Sequence, residues 1–198
     1  MKNFLRDWMP PVVWRLGRRL LKPHVDQADD YISDRFHYPL WAVIADRLAR
    51  LQAQSVLDLG CGPGAVASLL LERGIPAYLG IDRNGRALLR ARRLCPSYSF
   101  VVADAFETNL LEAYPYDTFI STEFLEHVVD DQGVIQRVRP GSRVLISVPS
   151  FACKGHVRVF ASAAEVAQRY GPYLQDYDVV TQRANASDAR FFILEGRR

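Results

Sequence analysis

Three glycines at alternate positions, Gly60, Gly62 and Gly64, directly follow the apolar stretch Val56-Leu-Asp-Leu and precede a second apolar run that ends near Leu71. No other feature restricts the fold of this chain as much. Lacking Cβ atoms, such a segment can turn sharply and admit a ligand to contact distance, which suits a strand feeding directly into a helix. The spacing predicts a buried strand over 55–59, a glycine turn, and a helix that runs through Leu71.

The strand–helix alternation then continues. Further strands are expected over 78–81, 98–102, 117–121 and 143–148, with helices over 86–94 and 165–170, and one helix over 38–52 before the first strand. Two last strands, 178–183 and 190–194, are joined by Ala-Asn-Ala-Ser-Asp, and only that pair is linked tightly enough to run antiparallel. The pattern predicts an α/β fold: a doubly wound, mostly parallel seven-stranded sheet covered on both faces, with an antiparallel last strand.

Composition narrows the class. With 198 residues, 49% apolar and 24% charged, the chain has the balance of one globular domain with short terminal additions and not of a disordered segment. No apolar run is long enough to span a bilayer, and no early apolar block resembles a signal peptide. The three cysteines are too few and scattered for a disulfide framework, which fits a reducing cytoplasm. The net charge of +3 is uneven: residues 1–24 carry +5, leaving the remainder at −2. That body is a poor platform for nucleic acid, so a small-molecule substrate is expected. Residues 10–22 read as an amphipathic helix with Arg15, Arg18, Arg19 and Lys22 on one side and Trp14 alongside. Either that helix packs as a lid, or residues 1–22 touch an anionic membrane surface. The division expected is 1–36, a basic helix and lid segment, and 37–198, the α/β domain.

The letters Gly60-x-Gly62-x-x-Ala65 also satisfy a permissive dinucleotide fingerprint, which keeps a nicotinamide-dependent oxidoreductase open. Asp58 separates the two readings. A carboxylate at the mouth of the turn would repel a pyrophosphate yet suit a ligand bearing an ammonium and a sulfonium. Asp82, ending the next strand, is placed to accept both hydroxyls of an adenosine ribose.

This constellation resembles the class I S-adenosylmethionine-dependent methyltransferases, whose first motif is acidic-x-Gly-x-Gly-x-Gly. The resemblance runs from about Val56 to Pro149 and implies a Rossmann-like sheet. It implies that Asp104 contacts adenine, with the Ala105 amide beside it, and that Cys61, Arg83 and Thr122 join Asp58, Gly60, Gly62, Gly64 and Asp82 around the methyl donor. Arg35 resembles an arginine that meets the methionine carboxylate in quinone-pathway enzymes; an ordinary surface ion pair is the other reading.

After the fourth expected strand comes Ser121-Thr-Glu-Phe-Leu-Glu-His-Val. A helix starting at Glu123 would put Glu123, Glu126 and His127 on one face at the carboxyl end of the sheet, and topology returns His156 to the same rim. The pattern looks like ubiquinone-pathway O-methyltransferases and like the metal-dependent methyltransferases of small-RNA 3′ ends. Both imply Glu123, Glu126, His127 and His156 as ligands of a divalent ion, Mg²⁺ or, by ligand softness, better Mn²⁺. A metal would favour an acceptor with two neighbouring oxygens. The blander reading has Glu123 capping a helix, Glu126 paired with Arg137 or Arg139, and His127 acting alone as base or merely packing. Methyl transfer to a hydroxyl needs alignment and a proton acceptor, and His127 or His156 could serve as that base. An RNA 3′-terminal 2′-O-methyltransferase and a non-catalytic cofactor-binding subunit complete the alternatives. The segments that choose the acceptor are the least regular ones, 1–38, 106–116 and 150–160.

Overall fold

The computed structural model describes residues 36–184 and 188–198. The expectations for residues 1–22 and for Arg35 lie outside them.

Numbered in chain order among the described residues, the elements are α1 (Tyr38–Arg50), β1 (Ser55–Leu59), α2 (Ala65–Glu72), β2 (Ala77–Asp82), α3 (Gly85–Leu94), β3 (Ser99–Val102), α4 (Leu110–Ala113), β4 (Thr118–Thr122), α5 (Asp131–Gln136), β5 (Arg143–Pro149), α6 (Ala163–Tyr170), β6 (Gln175–Arg183) and β7 (Arg190–Arg197). Two 3₁₀ turns, Leu125–His127 and Gly171–Tyr173, complete the set. The strands form one seven-stranded sheet in the order β3-β2-β1-β4-β5-β7-β6. Five strands pair in parallel, and β7 runs antiparallel to both β5 and β6, as the alternation and the short last connection require.

Local chemistry sets the element ends. Pro39 stands in the first turn of α1, where its missing N–H costs no hydrogen bond, and Leu40, Ile44 and Leu48 recur on the face that is fully buried. The Asn84 side chain accepts from the Arg86 and Ala87 amides at the start of α3, and the Ser162 hydroxyl accepts from the Glu165 amide at the start of α6. The central strands β1, β4 and β5 are buried along nearly their whole length because both faces are covered. Leu57, Leu59, Phe119, Val144, Ile146 and Phe192 form the middle of the core.

The short helices α4 and α5 carry too little periodicity to be anticipated. The strand order reverses between β1 and β4, so the crevice outside the carboxyl ends of those strands is where such a sheet binds ligands. Both candidate motifs emerge there.

Candidate functional site

The glycine turn leaves β1 and bends back over β2. The Gly60 and Cys61 amides both donate to the Ile81 carbonyl, at 2.8 and 3.2 Å. Gly60 (φ +80°) and Gly62 (φ +53°) lie in the left-handed region, for different spatial reasons. A Cβ on Gly60 would stand 2.6 Å from the Phe124 ring, whereas one on Gly62 would meet nothing within 4 Å. Gly60 thus lets the turn approach the rim segment after β4, and Gly62 faces open space.

Asp82 organises the other wall. Its carboxylate accepts from the Gly62 amide at 2.9 Å through one oxygen and from the Asn84 amide at 2.7 Å through the other. Each oxygen retains acceptor capacity, so the pair is fixed in place and able to take two ribose hydroxyls. Asp104 is held in a similar way, its side chain accepting from the Phe106 amide at 2.8 Å. Arg83 is exposed, and Thr122 ends β4 nearly buried. The Cys61 thiol lies over Gly80, where a Cβ would come within 2.7 Å of its sulfur; burial first, then the Asp58 charge, push that thiol far above its usual range.

Asp58 is not on the lip of the turn, as expected, but fully buried beneath it in β1, with Gly80 and Ile120 as its register partners. The Tyr78 hydroxyl donates to one carboxylate oxygen at 2.5 Å, and the other oxygen has no hydrogen-bond partner. Burial pushes the carboxyl up to about 7, the Tyr78 bond opposes that, and the Asp82 charge adds to it. Tyr78 was not anticipated; only the pairing of β1 with β2 brings it to Asp58.

The rim segment departs from the expected α-helix. Glu123 adopts φ +53°, its amide donates to the Ser147 carbonyl at 3.2 Å, and helix forms only as the 3₁₀ turn Leu125–His127. The Ser147 hydroxyl donates to Glu123 at 3.0 Å. Ligand atoms of Glu126, His127 and His156 gather within 4.8 Å of one another, and Glu123 does not join them, being committed to β5. Nor does Glu126 pair with Arg137 or Arg139. Arg137 bonds Glu112 and the Ala105 and Thr108 carbonyls, and Arg139 donates to the Tyr114 carbonyl.

Glu126 is therefore a fully buried carboxylate with neither oxygen hydrogen-bonded. One oxygen stands 3.9 Å from the Nε2 atoms of both His127 and His156. Burial raises its carboxyl to about 7, with its own backbone amide and Arg158 opposing. Glu123 is also pushed upward, by burial and then by the Glu126 charge. The two imidazoles meet edge to face at 4.7 Å. His156 Nδ1 lies 3.2 Å from the Phe151 carbonyl, which selects the Nδ1–H tautomer and leaves Nε2 as the acceptor facing Glu126. Burial, then the nearby His127, lower the His156 pKa, so the ring is neutral near pH 7.

This arrangement has relatives. Residues 56–145 match a family described as a methyltransferase domain. The chain is 32% identical over 139 residues to a ubiquinone biosynthesis O-methyltransferase of Pseudomonas paraeruginosa, covering 66% of this chain and 59% of that protein. The N-methyltransferase NodS from Bradyrhizobium japonicum, in complex with S-adenosyl-L-homocysteine, superposes with a TM-score of 0.66 at 18% identity, covering 93% of this chain and 97% of NodS. The methyltransferase domain of bacterial CtHen1-CN gives 0.59 at 20% identity, over 81% and 99%. The domain match, the relatives and the shared fold support membership of the class I S-adenosylmethionine-dependent methyltransferases. It spans a little over half the length of the curated relatives it matches. Membership decides between the two readings of the glycine turn, since the dinucleotide fingerprint is met in letters only. In this methyltransferase domain, no described helix is long and apolar enough to cross a membrane.

Proposed function

We propose that the protein transfers the methyl group of S-adenosylmethionine to the hydroxyl of a small molecule. The observation that carries this reading is the Glu126, His127 and His156 group, a buried unpartnered carboxylate facing two imidazoles on the sheet rim that also carries the glycine turn. The open space at Gly62, the two-oxygen wall of Asp82 and the unpartnered Asp58 oxygen fit a nucleoside that carries an amino-acid ammonium. That donor supplies a carbon already activated by its sulfonium.

The chain's own task is alignment and proton removal. Alignment alone can contribute on the order of 7–11 kcal/mol to lowering the barrier. His156, neutral and with Nε2 free of its backbone partner, can take the acceptor's proton, and Glu126 beside it steadies the resulting imidazolium. His127 is more exposed and stands at the entrance to the same carboxylate.

The same three side chains fit a divalent cation, since an orphaned buried carboxylate and two imidazole nitrogens form a coherent donor set. Two nitrogens and one oxygen suit Mn²⁺ or Zn²⁺ better than Mg²⁺. Bound there, a cation would lower the pKa of a chelating acceptor hydroxyl, and an ortho-dihydroxy ring would be the favoured shape. The O-methyltransferase activity named for the ubiquinone-pathway relatives supports oxygen as the acceptor atom. An RNA 3′ end is the second reading, on the resemblance of Glu123-x-x-Glu126-His127 to the pattern of the small-RNA methyltransferases.

Calorimetry tests the cofactor class: S-adenosylhomocysteine is expected to bind and NAD(H) is not. Transfer of labelled methyl to an ortho-dihydroxy aromatic, and not to an RNA 3′ end, supports the acceptor class; transfer to RNA alone reverses it. Chelator sensitivity restored by Mn²⁺ supports the cation, and turnover unchanged in chelator removes it.

A further inference from the structure

Arg158 lies two positions after His156 and is mostly buried. Its Nη1 donates to the Leu125 and Val128 carbonyls at 2.6 and 2.5 Å, and its Nη2 to the Val129 carbonyl at 2.8 Å. The neighbouring Val157 amide donates to the Glu126 carbonyl at 2.8 Å. Of the five carbonyls from Leu125 to Val129, four are thus held by two consecutive residues. A 3₁₀ turn this short cannot satisfy its own carboxyl-terminal carbonyls, so the donors must come from elsewhere.

The guanidinium is itself fixed. Nη1 stands 3.2 Å from Asp131, a fully buried carboxylate that also takes two bonds from Arg169, at 2.7 and 2.5 Å, and one from the Tyr170 hydroxyl at 2.6 Å. Arg169 and Tyr170 end α6, and Asp131 begins α5, so the clamp is anchored to two helices.

We infer that Arg158 is a positioning residue: it joins the turn carrying Glu126 and His127 to the segment carrying His156, and so sets where the three side chains meet. The inference rests on the proposed role of that group. A planar fork with several donors in fixed directions can serve three carbonyls and a carboxylate at once, which a lysine ammonium cannot. The cofactor turn is held separately, through Ile81 and Asp82, and stays as it is when the clamp is loosened.

The test compares Arg158→Lys with Arg169→Ala, which weakens the same Asp131 network without touching the turn. Three readouts are taken at a temperature where both variants are folded: the nuclear Overhauser contact between the two imidazoles, S-adenosylhomocysteine affinity, and kcat against KM. Displacing reacting groups by about 1 Å costs on the order of a hundredfold in rate. Arg158→Lys is expected to weaken the ring-to-ring contact, lower kcat about 10- to 100-fold, and leave cofactor affinity within about twofold of wild type. Arg169→Ala lowers the melting temperature and keeps both the contact and kcat. Unchanged ring contact in Arg158→Lys overturns the inference, and so do equal losses of kcat in the two variants. The ring contact is read without substrate, so failure of the proposed reaction would leave this test standing and be recognised separately.

Discussion

Replacing Asp58 by asparagine probes the most unusual charge in the molecule. The carboxyl is fully buried, holds one hydrogen bond from Tyr78, and has an ordinary value of 3.8 raised to about 7. At about 1.4 kcal/mol per pH unit, that difference makes the ionised form cost roughly 4 kcal/mol of folding free energy. The folded state holds the proton more tightly than the unfolded one. This contribution is therefore fully present below about pH 4, is lost progressively as pH rises to about 7, and is constant above that. Asparagine keeps an oxygen for the Tyr78 hydroxyl and removes the charge, but buries an amide NH₂ that costs about 1–3 kcal/mol. Ligand-free Asp58→Asn should therefore be more stable than wild type by about 1–3 kcal/mol at pH 8. By pH 4.5 the gain should vanish or reverse. Urea unfolding of both proteins across this range gives the difference directly, with all other titrating groups cancelling. The variant's affinity for S-adenosylhomocysteine should fall about 10- to 100-fold, because the negative charge beneath the turn no longer attracts the ammonium. A stability difference that does not vary between pH 4.5 and 8 would refute the reasoning.

Other outcomes follow from the same geometry. Gly60→Ala should destabilise by more than about 2 kcal/mol, because left-handed strain adds to a clash with the Phe124 ring, and a melting curve reports it. Gly62→Ala should cost only about 1 kcal/mol of stability yet lose most cofactor affinity in calorimetry, since its Cβ enters space the ligand needs. Asp131→Asn should lower stability by about 2–4 kcal/mol in urea unfolding, because two arginines and a tyrosine lose a buried carboxylate. His156→Ala should reduce methyl transfer by at least 100-fold while leaving S-adenosylhomocysteine binding intact, consistent with loss of a general base.

The succession of strands and helices and the glycine turn were legible because both are written in local, periodic chemistry. A buried five-residue run followed by alternating glycines leaves few structural options, and β1 begins and ends where that run does. The rim was read only in part. His127 and His156 do meet, as topology implied, but the expected face of Glu123, Glu126 and His127 assumed α-helical spacing. The Ser147 carbonyl and hydroxyl capture Glu123 and force its positive φ, a competition across 24 residues that spacing cannot reveal. The same holds for Tyr78 on Asp58, and for Arg158 and Arg169 on Asp131. Each joins residues 20 or more apart in sequence whose types are common on any surface. Asp58 itself shows the limit of motif reading: its place in β1 was legible, while its depth depended on the register of three strands.

The most direct measurement is a crystal structure grown with S-adenosylhomocysteine and Mn²⁺. The account requires the ribose hydroxyls on Asp82, the amino-acid end over Gly62 and the sulfur turned toward His156; cation density shared by Glu126, His127 and His156 would make His156 a ligand in place of a base. A ligand seated away from the glycine turn, or one whose sulfur points away from those imidazoles, would contradict it.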